Sequence, residues 1–518
     1  MKRRKFLSLS AAGVSGAAAG RFFSGRLFGT GPAAPKRGPN IVVLLADDMG
    51  YAGLGVQGCP DIPTPNMDSI ARNGVRFTQG YVSCPICAPT RAGLMTGRYG
   101  QRFGFETNPG PSGQADENFG LPLEEKTMAE RLKERGYKTG MFGKWHLGYK
   151  PERAPSKRGF DEFFGFLDGA HPYLPRRGTG RLLQGTAPVE EKEYLTDALG
   201  REAAGFIDRH KDEPFFLYVA FNAVHAPLEA RPEYLDRFAG IENATRRTHA
   251  AMTAALDEAV GRILKTLGRW GLERETLVFF LSDNGGPTPQ TTSSNLPYRG
   301  FKGQVLEGGI HVPFMIQWRG RLPEGRVDDR PVIQLDILPT ALAVAGAEIL
   351  PDWKLDGVDL VPYLAEGNSK RPHEALYWRM FNQHAVRSGD WKLVRGVAGE
   401  AAGLYNLKDD PAEKQNRAAE MPDKAKELDA LWQAWNRELA EPRWVRQGPG
   451  GQSLAGAEAQ AAGETPAARF KRWDRNKDGR LTPEEVGRPA LFKRLDLDGD
   501  GVVTLDEARR AMRRRTGR

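Results

Sequence analysis

The 518-residue sequence predicts an α/β fold with a large, mostly parallel sheet that carries helices on both faces. A small C-terminal antiparallel α+β subdomain and an all-α pair of helix–loop–helix units are expected after it. Three observations favour this architecture. Apolar runs alternate with helical stretches such as 127–135 and 245–267, shorter alternating runs begin near residue 372, and two similar 12-residue loops lie near the C-terminus.

Composition and spacing divide the chain into five expected segments. A leader at residues 1–37 precedes the main α/β domain at 38–371 and the antiparallel subdomain at 372–446. Residues 447–467 are rich in Gly, Ala, Gln and Pro without apolar periodicity, which indicates a flexible linker. Residues 468–518 hold the helix–loop–helix pair.

The amino terminus is typical of an export signal. Basic residues at positions 2–5 precede a weakly apolar run that is too short and too polar to span a membrane. The run at 3–7 resembles a twin-arginine signal, so we expect export of the folded protein to the periplasm, the cell surface or beyond. A basic disordered tail is the alternative. No later segment reaches the ~18 uninterrupted apolar residues of a membrane helix, so we expect no span.

The formal net charge of +9 is concentrated at the two ends of the chain. Residues 1–40 contribute +8 and residues 467–518 contribute +6, which leaves about −5 for residues 41–466. Because the main domain is mildly acidic, we expect no nucleic-acid partner for it. Three cysteines in an exported chain are too few for a disulfide framework.

Two predicted strands end in oxygen-bearing side chains. Residues 40–46 and 276–281 are continuous apolar runs, as expected for strands buried on both faces of a parallel sheet. The residues that follow them are Asp47, Asp48, Asp283 and Asn284. Open α/β sheets bind ligands at the carboxyl ends of their strands, and hard oxygen ligands suit Ca²⁺ or Mg²⁺. For Asp48 alone, capping of a turn is the competing interpretation.

Basic and imidazole side chains follow two more predicted strands. The segment at 138–143 leads to Lys144 and His146, which point to the same face if the chain stays extended there. The apolar run at 214–221 leads to His225. A single histidine after a strand is often structural, but this one is the fourth polar group at a strand end.

A cysteine stands at or just before the N-terminus of a predicted short helix. Cys87 is followed by Pro89 and Arg91, and residues 92–98 can continue the helix. Proline fits the first helical turn, where Cys87 would meet unpaired N–H groups that favour an anion. Cys84 and Cys87 also form a C-x-x-C pair, which can be redox-active or half of a zinc site. A tetrathiolate zinc site is excluded because the chain has three cysteines.

These motifs resemble those of the sulfatase family. The signature Cys-x-Pro-x-Arg followed by Leu-x-Thr-Gly-Arg is present at 87–98, and Gly-Lys-Trp-His-Leu-Gly is present at 143–148. Residues 302–313 are similar to the family's Lys-Gly, Glu-Gly-Gly and Val-Pro elements, although His311 stands where arginine is common. The resemblance covers about residues 38–440, so 38–371 would be the catalytic domain. It implies a structural role for Glu307.

The resemblance implies a sulfuric ester hydrolase that removes sulfate from a sulfated small molecule or, preferably, a glycan. A maturation enzyme would oxidise Cys87 to formylglycine, the nucleophile. The metal, Ca²⁺ or Mg²⁺, would be held by Asp47, Asp48, Asp283, Asn284 and modified Cys87. The sulfate would be neutralised by Arg91, Lys144 and Lys302, and protons would be transferred by His146 and His225.

Two other functions compete with this one. The same fold can cleave phosphate or phosphonate esters, and an inactive relative could be a calcium-dependent surface-binding protein. The predicted nucleophile derives from cysteine, and the predicted metal ligands are Asp and Asn where a two-zinc site would be rich in His. Both features favour sulfate esters over phosphate or phosphonate esters as the substrate.

The two C-terminal loops resemble EF-hands, which bind Ca²⁺. Their ligand positions are Asp474, Asn476, Asp478, Arg480 and Glu485 in the first loop, and Asp496, Asp498, Asp500, Val502 and Glu507 in the second. Leu481 and Val503 occupy position 8, where the loops can pair. Acidic turns without metal are the alternative. The tail beyond them carries Arg509, Arg510, Arg513, Arg514, Arg515 and Arg518, which form a solvated helix face or contact a polyanion.

Overall fold

The computed structural model describes residues 38–110, 115–176, 181–365 and 367–444. In the C-terminal region it describes residues 470–471, 473–474, 476, 478–486, 492 and 495–508. The predicted leader at 1–37, the linker at 447–467 and the arginine-rich tail from Arg509 lie outside the described residues.

Strands and helices alternate through most of the described chain. The strands are β1 Asn40–Ala46, β2 Val75–Phe77, β3 Gly80–Tyr81, β4 Lys138–Lys144, β5 Glu162–Phe166, β6 Leu183–Gln184, β7 Ala187–Pro188, β8 Phe215–Ala220, β9 Thr276–Ser282, β10 Phe314–Gln317, β11 Arg326–Asp328, β12 Val332–Ile333, β13 Ala375–Met380, β14 Gln383–Ser388, β15 Trp391–Arg395, β16 Gly403–Asn406, β17 Arg480–Leu481 and β18 Val503–Thr504. The α-helices are α1 Pro65–Arg72, α2 Cys87–Thr96, α3 Met128–Lys133, α4 Leu195–His210, α5 Pro232–Asp236, α6 Ala244–Arg269, α7 Thr288–Thr291, α8 Glu307–Ile310, α9 Ile337–Val344, α10 Val361–Leu364, α11 Pro422–Asn436 and α12 Pro483–Val486.

The main sheet contains ten strands in the order β11-β2-β10-β9-β1-β8-β4-β5-β6-β7. Its five central strands, from β9 to β5, are parallel, as predicted. β10 is antiparallel to both β9 and β2, and β6 and β7 add an antiparallel edge. The sheet is therefore mixed at its margins and parallel where the predicted polar strand ends lie.

Helices cover both faces of this sheet, which confirms the predicted architecture. Alternate residues of β1 face two separate cores. One core packs the sheet against α1, α4 and α6, and the other packs it against α2, α3 and α9. Every residue of β1 is buried, which explains why its sequence is a continuous apolar run.

Helix α3 shows how the local sequence sets an element boundary. The Thr127 hydroxyl accepts a hydrogen bond from the Glu130 N–H at 3.1 Å, and the Glu130 carboxylate accepts one from the Thr127 N–H at 2.6 Å. This capping box satisfies two N–H groups that a helix start leaves unpaired. The helix therefore begins at Met128, one residue after the predicted start at 127.

The predicted antiparallel subdomain is present. Strands β13 to β16 form a meander in sequence order. Helix α11 packs on β14 and β15 and supplies Leu428, Trp432 and Trp435 to the core that joins the meander to the main domain. The Trp378 indole donates a hydrogen bond to the Val82 carbonyl at 2.7 Å, which links the meander to the segment before α2.

A buried ionic cluster joins the subdomain to α8. The Glu307 carboxylate accepts hydrogen bonds from Tyr81, His311 and Lys392 at 2.7, 2.9 and 2.7 Å. Lys392 also pairs with Glu413 at 2.9 Å, and the side chains of Lys392 and Glu413 are fully buried. Burial opposes ionisation of Glu307, but Lys392 and His311 outweigh it and hold the Glu307 pKa well below its usual value. Glu307 and His311 thus contribute to packing, as the sequence predicts.

The C-terminal loops are joined by the short ladder β17–β18, in which Leu481 pairs with Val503 as predicted. A small apolar core of its own includes Phe470, Leu495 and Val503. Among the described residues, no helix has the combined length and apolarity that crossing a membrane requires.

The buried ionic cluster predicts a measurable contribution to the free energy of unfolding. Replacing Lys392 with Met would leave two buried carboxylates without their cation, so we expect a loss of about 3–5 kcal/mol in the free energy of unfolding. Urea denaturation followed by fluorescence measures it. Lys424→Met is the control, because Lys424 pairs with Glu427 at the surface and its loss should cost about 0–1 kcal/mol. Equal effects of the two changes would contradict the importance of the cluster.

Candidate active site

Four neighbouring parallel strands deliver polar side chains to one edge of the sheet. In the order β9, β1, β8, β4, their carboxyl ends lead to Asp283 and Asn284, to Asp47 and Asp48, to His225, and to Lys144 and His146. Ala46 is in register with Ser282, and the Asp283 N–H donates to the Ala46 carbonyl at 3.1 Å. The pairing of these strands thus places residues from distant parts of the sequence side by side.

Helix α2 brings the cysteine and an arginine to the same edge. Cys87 is the first residue of the helix, as predicted, and Arg91 lies one turn later on the same face. Arg91 is fully buried and donates to the Asp283 carboxylate from Nε and Nη2 at 3.0 and 2.7 Å. The Ala88 N–H is bonded to the Asn108 side chain at 2.9 Å, so this N–H of the helix N-terminus already has a protein partner.

Lys302 reaches the cluster from the loop before α8. Its Nζ lies 2.6 Å from Oδ1 of Asp48 and 3.3 Å from Sγ of Cys87. The Nζ of Lys144, the last residue of β4, lies 2.6 Å from Oδ2 of Asp47. The Cys87 sulfur is 3.8 Å from Oδ1 of Asp47. The thiol is therefore surrounded by a carboxylate and a lysine ammonium.

The buried charges balance one another. Burial opposes ionisation of Asp47, but Lys144, His225 and Arg91 outweigh it and lower the Asp47 pKa. Burial also opposes ionisation of Asp48, and Lys302 is the main group that outweighs it and lowers the Asp48 pKa. Both carboxylates are therefore ionised near neutral pH, as charged metal ligands must be.

The oxygen donors of the site, from Asp47, Asp48 and Asn284, suit a hard divalent cation. Asp47, Asp48, Cys87 and His225 each offer one ligand atom, and these atoms lie within 4.8 Å of one another. The Oδ1 atom of Asn284 is buried and has no hydrogen-bond partner within the described part of the chain, while its Nδ2 donates to Asp48 at 2.7 Å. A buried acceptor without a partner is costly, and a cation would satisfy it.

Two details differ from the predicted ligand arrangement. Asp283 is engaged by other groups, because Oδ2 accepts the Arg91 fork and Oδ1 accepts the Asp48 N–H at 3.2 Å. His225, predicted to transfer protons, lies among the possible ligands, with Nε2 3.7 Å from Oδ2 of Asp48.

The competing interpretation of Asp48 as a turn cap is not supported by its side-chain contacts. That side chain accepts hydrogen bonds from Lys302 and Asn284. The φ of 63° at Asp48 nevertheless turns the chain after β1.

The predicted extended path from Lys144 to His146 is wrong. β4 ends at Lys144, and His146 has a φ of 60°, in the left-handed region. The turned backbone still brings His146 to the site, where its ring packs against Gly169. Burial, Lys144 and Arg91 hold the His146 pKa well below its usual value, so the imidazole is neutral near pH 7.

The cysteine pair does not have the properties of a redox centre. Cys84 and Cys87 are both free thiols and both buried. Burial raises the Cys87 pKa to about 11, although Lys144 and Lys302 oppose the shift. A thiol with this pKa is protonated near neutral pH and is a poor nucleophile in its unmodified form.

An open cleft of about 590 Å³ leads from this cluster to solvent. Cys87, His146 and His225 lie at its inner end. Its outer walls include Asn108, Asp168, Gly169, His171, Arg176 and Arg181. The space exceeds the size of one small tetrahedral anion, so a larger molecule that carries the anion can be accommodated.

The C-terminal loops have the geometry of EF-hands. Gly479 and Gly501, at position 6 of each loop, have φ values of 80° and 85°, which favour glycine. The carboxylates at position 1 accept backbone N–H bonds within their loops, and Glu485 and Glu507 fold back on Thr482 and Thr504. The side chains of Asp496, Asp498 and Asp500 converge on one point.

Sequence reasoning did not identify three residues that shape the site. The Asn108 side chain accepts a hydrogen bond from the Ala88 N–H, and Gly169 contacts the His146 ring. Gln383 of β14 donates a hydrogen bond to the backbone of the loop that carries Lys302. None of the three belongs to a motif that spacing could reveal, because each reaches the site from a separate segment of the chain.

The chain belongs to the sulfatase family. The family model described as "Sulfatase" matches residues 39–347, and the model "N-sulphoglucosamine sulphohydrolase, C-terminal" matches residues 301–439. The "EF hand" model matches residues 467–488 and 490–512. The protein is therefore a sulfatase, an enzyme that hydrolyses sulfate esters, with an EF-hand pair in its C-terminal region.

Relatives with curated names agree with this assignment. N-acetylgalactosamine-6-sulfatase of Canis lupus familiaris is 36% identical over 389 residues, which cover 70% of this chain and 73% of the relative. Arylsulfatase A of Homo sapiens is 35% identical over 445 residues, covering 74% and 84%. The crystal structure of Ps i-CgsB in complex with k-i-k-neocarrahexaose matches with a TM-score of 0.76 and 34% identity, covering 82% of this chain and 98% of that one.

The contact between Gly169 and His146 can be tested by adding one methyl group. In Gly169→Ala the new Cβ would lie 2.6 Å from Nε2 of His146, so the ring must move. We expect kcat for sulfate release to fall by about 10- to 100-fold. The control is Gly240→Ala, where the added Cβ meets nothing within 4 Å, and both variants are compared with the parent in a steady-state assay. Full activity of Gly169→Ala would show that the position of the ring is unimportant.

Proposed function

We propose that the protein removes sulfate from a sulfated glycan, using a formylglycine made from Cys87 and a bound Ca²⁺ or Mg²⁺. The observation that carries the proposal is the position of Cys87. Its sulfur lies at the inner end of the cleft, beside Lys302, among carboxylates that can hold a divalent ion. An oxygen nucleophile at this atom would face a sulfate group entering from solvent.

Formylglycine and the metal ion would each supply chemistry that the unmodified residues of the site cannot. Formylglycine, formed by a maturation enzyme, supplies a hydrated aldehyde with a hydroxyl that can attack sulfur. The metal ion supplies Lewis acidity toward a sulfate oxygen and toward that hydroxyl. The residues that would hold the ion are Asp47, Asp48, the modified Cys87 and Asn284, whose buried Oδ1 has no partner among the described residues. Asp283 would join them only through lone pairs that its bonds to Arg91 and the Asp48 N–H leave available.

The side-chain cations of the site bind and orient the sulfate. Lys144 contacts Asp47 and Lys302 contacts Asp48, and Arg91 donates from Nε and Nη2 to the same Asp283 oxygen, Oδ2. Because Arg91 is anchored and fully buried, it contributes a positive charge that needs little reorganisation during the reaction. These charges stabilise the negative charge that develops on the sulfate oxygens.

His146 and His225 carry the two proton transfers of the reaction. One proton must reach the oxygen of the leaving alcohol, and one must leave the nucleophilic position when sulfate is expelled. Both rings line the cleft beside Cys87. The buried Nδ1 of His146 has no hydrogen-bond partner among the described residues, and the side chain of His225 is 20% exposed, which lets it meet the leaving group.

A glycan substrate is supported by the cleft and by the names of similar proteins. The cleft is open and is wider than the sulfate group requires. The names of two similar proteins, N-acetylgalactosamine-6-sulfatase and Ps i-CgsB in complex with k-i-k-neocarrahexaose, refer to carbohydrates. We therefore assign a sulfated sugar as the natural substrate.

The proposal also assigns functions to the two ends of the chain. The twin-arginine leader at 1–37 would export the enzyme as a folded protein. The two EF-hand loops would each bind one Ca²⁺, and the arginine-rich tail from Arg509 would contact the polyanionic substrate.

Two measurements on protein made in its native host test the proposal. The tryptic peptide containing Cys87 should be about 18 Da lighter than its unmodified mass, the loss that accompanies conversion of the thiol to an aldehyde. The Ca²⁺-loaded enzyme should release sulfate from at least one member of a panel of sulfated sugars and aryl sulfates. An intact Cys87 thiol would refute the formylglycine nucleophile. Faster turnover of the matching phosphate esters would favour a phosphate or phosphonate ester hydrolase.

A further inference from the structure

Two arginines stand on the outer wall of the cleft, away from the groups that surround Cys87. Arg176 and Arg181 line the same cleft as Cys87 and His225. Their side chains are 54% and 44% exposed. Asp168, which also lines the cleft, is 7% exposed, so the two guanidiniums present more surface to solvent than this carboxylate does.

Each guanidinium is held in place by a carboxylate behind it. Nη2 of Arg181 lies 2.8 Å from Asp168, and Nη2 of Arg176 lies 2.5 Å from Glu229. The Glu229 side chain is 17% exposed, less than a third of the value for its arginine. Arg181 donates from Nε and Nη2 to Oδ2 of Asp168 at 3.1 and 2.8 Å, and from Nη2 to the Ala170 carbonyl at 3.2 Å. Both guanidiniums are therefore anchored, and their half-exposed positive charge can attract a sulfate or carboxylate group.

We propose that Arg176 and Arg181 form a second anion subsite. It binds a sulfate or carboxylate group of the substrate other than the one that is cleaved. This inference rests on the proposed function and narrows it: the preferred substrate is a glycan with at least two anionic groups. A singly sulfated sugar would occupy the inner site alone.

The test compares two disaccharides that share the cleaved sulfate, one of which carries a second sulfate. The parent enzyme should show a kcat/KM about tenfold or more higher for the disulfated compound. In Arg176→Gln and Arg181→Gln this preference should fall by about tenfold, because Gln keeps a hydrogen bond to the carboxylate but loses the charge. Arg237→Gln is the control, since Arg237 pairs with Glu258, is 48% exposed and does not line the cleft.

Binding gives a readout that does not depend on turnover. Calorimetric titration of the full-length Cys87→Ala protein should show the same preference for the disulfated compound, lost in the arginine variants. Equal affinities for the two compounds, or a preference that survives both substitutions, would overturn the subsite. Failure of the proposed function would be seen separately, as absence of sulfate release from every compound by the parent enzyme.

A different observation concerns Gln383, at the start of β14 in the antiparallel subdomain. Its buried side-chain amide donates to the Gly303 carbonyl at 2.9 Å and accepts from the Val305 N–H at 3.2 Å. Both bonds go to the loop that begins with Lys302. Another bond of this loop reaches the segment before α2: the Gly303 N–H donates to the Pro85 carbonyl at 2.9 Å, two residues before Cys87.

We infer that Gln383 is a positioning residue through which the subdomain holds Lys302 against Asp48 and Cys87. Without its two bonds the middle of the loop would be released from the subdomain, while the end of the loop stays attached through the Glu307 N–H, which donates to Glu413 at 2.8 Å. The Nζ of Lys302 would then leave the position 2.6 Å from Asp48. This inference also rests on the proposed function, since it assigns Gln383 a role in the turnover of sulfate esters.

A double-mutant cycle separates positioning from general stability. Gln383→Ala should lower kcat for 4-nitrophenyl sulfate about 10- to 100-fold with a smaller change in KM. In a Lys302→Met background the same change should cost less than about threefold, because its target is already absent. Gln383→Glu, which can still accept from the Val305 N–H, should recover part of kcat.

Asn382→Ala is the control, because the Asn382 amide donates to Gly396 within the subdomain and not to the Lys302 loop. Additive losses in the cycle, or an equal loss in Asn382→Ala, would overturn the role of Gln383. A crystal structure of Gln383→Ala in which Lys302 keeps its contact with Asp48 would also overturn it, whatever the activity of the enzyme.

Discussion

The pairing of β1 with β9 on one side and β8 on the other is the constraint on which the site depends. All three strands are parallel and fully buried, so their carboxyl ends must emerge at the same edge of the sheet. Register decides which residues meet there: a slip of one residue would turn Asp47 and Asp283 away from each other. Asn40, whose side chain donates to the Thr276 hydroxyl at 3.2 Å, is a polar contact that matches the start of β1 with the start of β9 in this register.

At this edge of the sheet, side-chain cations compensate the negative charge of buried carboxylates. Three buried carboxylates would repel one another, and each would be expensive to keep ionised away from water. Arg91, Lys144 and Lys302 come from α2, β4 and the loop before α8 and pair with them at 2.6 to 2.7 Å. The same charges that stabilise the folded site attract an anionic substrate, so folding and substrate binding depend on one set of contacts.

The antiparallel subdomain is part of this arrangement. Lys392 and Glu413 enclose Glu307 at the start of α8, and Gln383 bonds the loop just before it. The main domain and the antiparallel subdomain, which the sequence suggests are separate, thus share one buried interface. The loop of Lys302 contacts both, because Lys302 bonds Asp48 and the next residue bonds Gln383. This explains how residues without any motif of their own can influence the geometry around Cys87.

Whether a site residue could be placed from the sequence depends on whether its position is set by nearby residues in the chain or by contacts with distant segments. The strands that precede Asp47 and Asp283 could be predicted, because burial on both faces of a parallel sheet demands a continuous apolar run. The start of α2 at Cys87 could also be predicted, since Pro89 favours the first turn. His146 could not be placed correctly, because its left-handed φ depends on the packing of its ring against Gly169, which comes from another segment.

The sequence by itself determined the fold class, the order of the elements, the family motifs and the glycines that let the EF-hand loops turn. These are local features, which depend on side-chain periodicity and backbone preference over a few residues. Only the tertiary structure decided that His225 lies among the ligand atoms, that Arg91 engages Asp283, and that Gln383 holds the Lys302 loop. The physical reason is that these are contacts between segments far apart in the chain, and they form only when the packing of the whole domain brings the segments together.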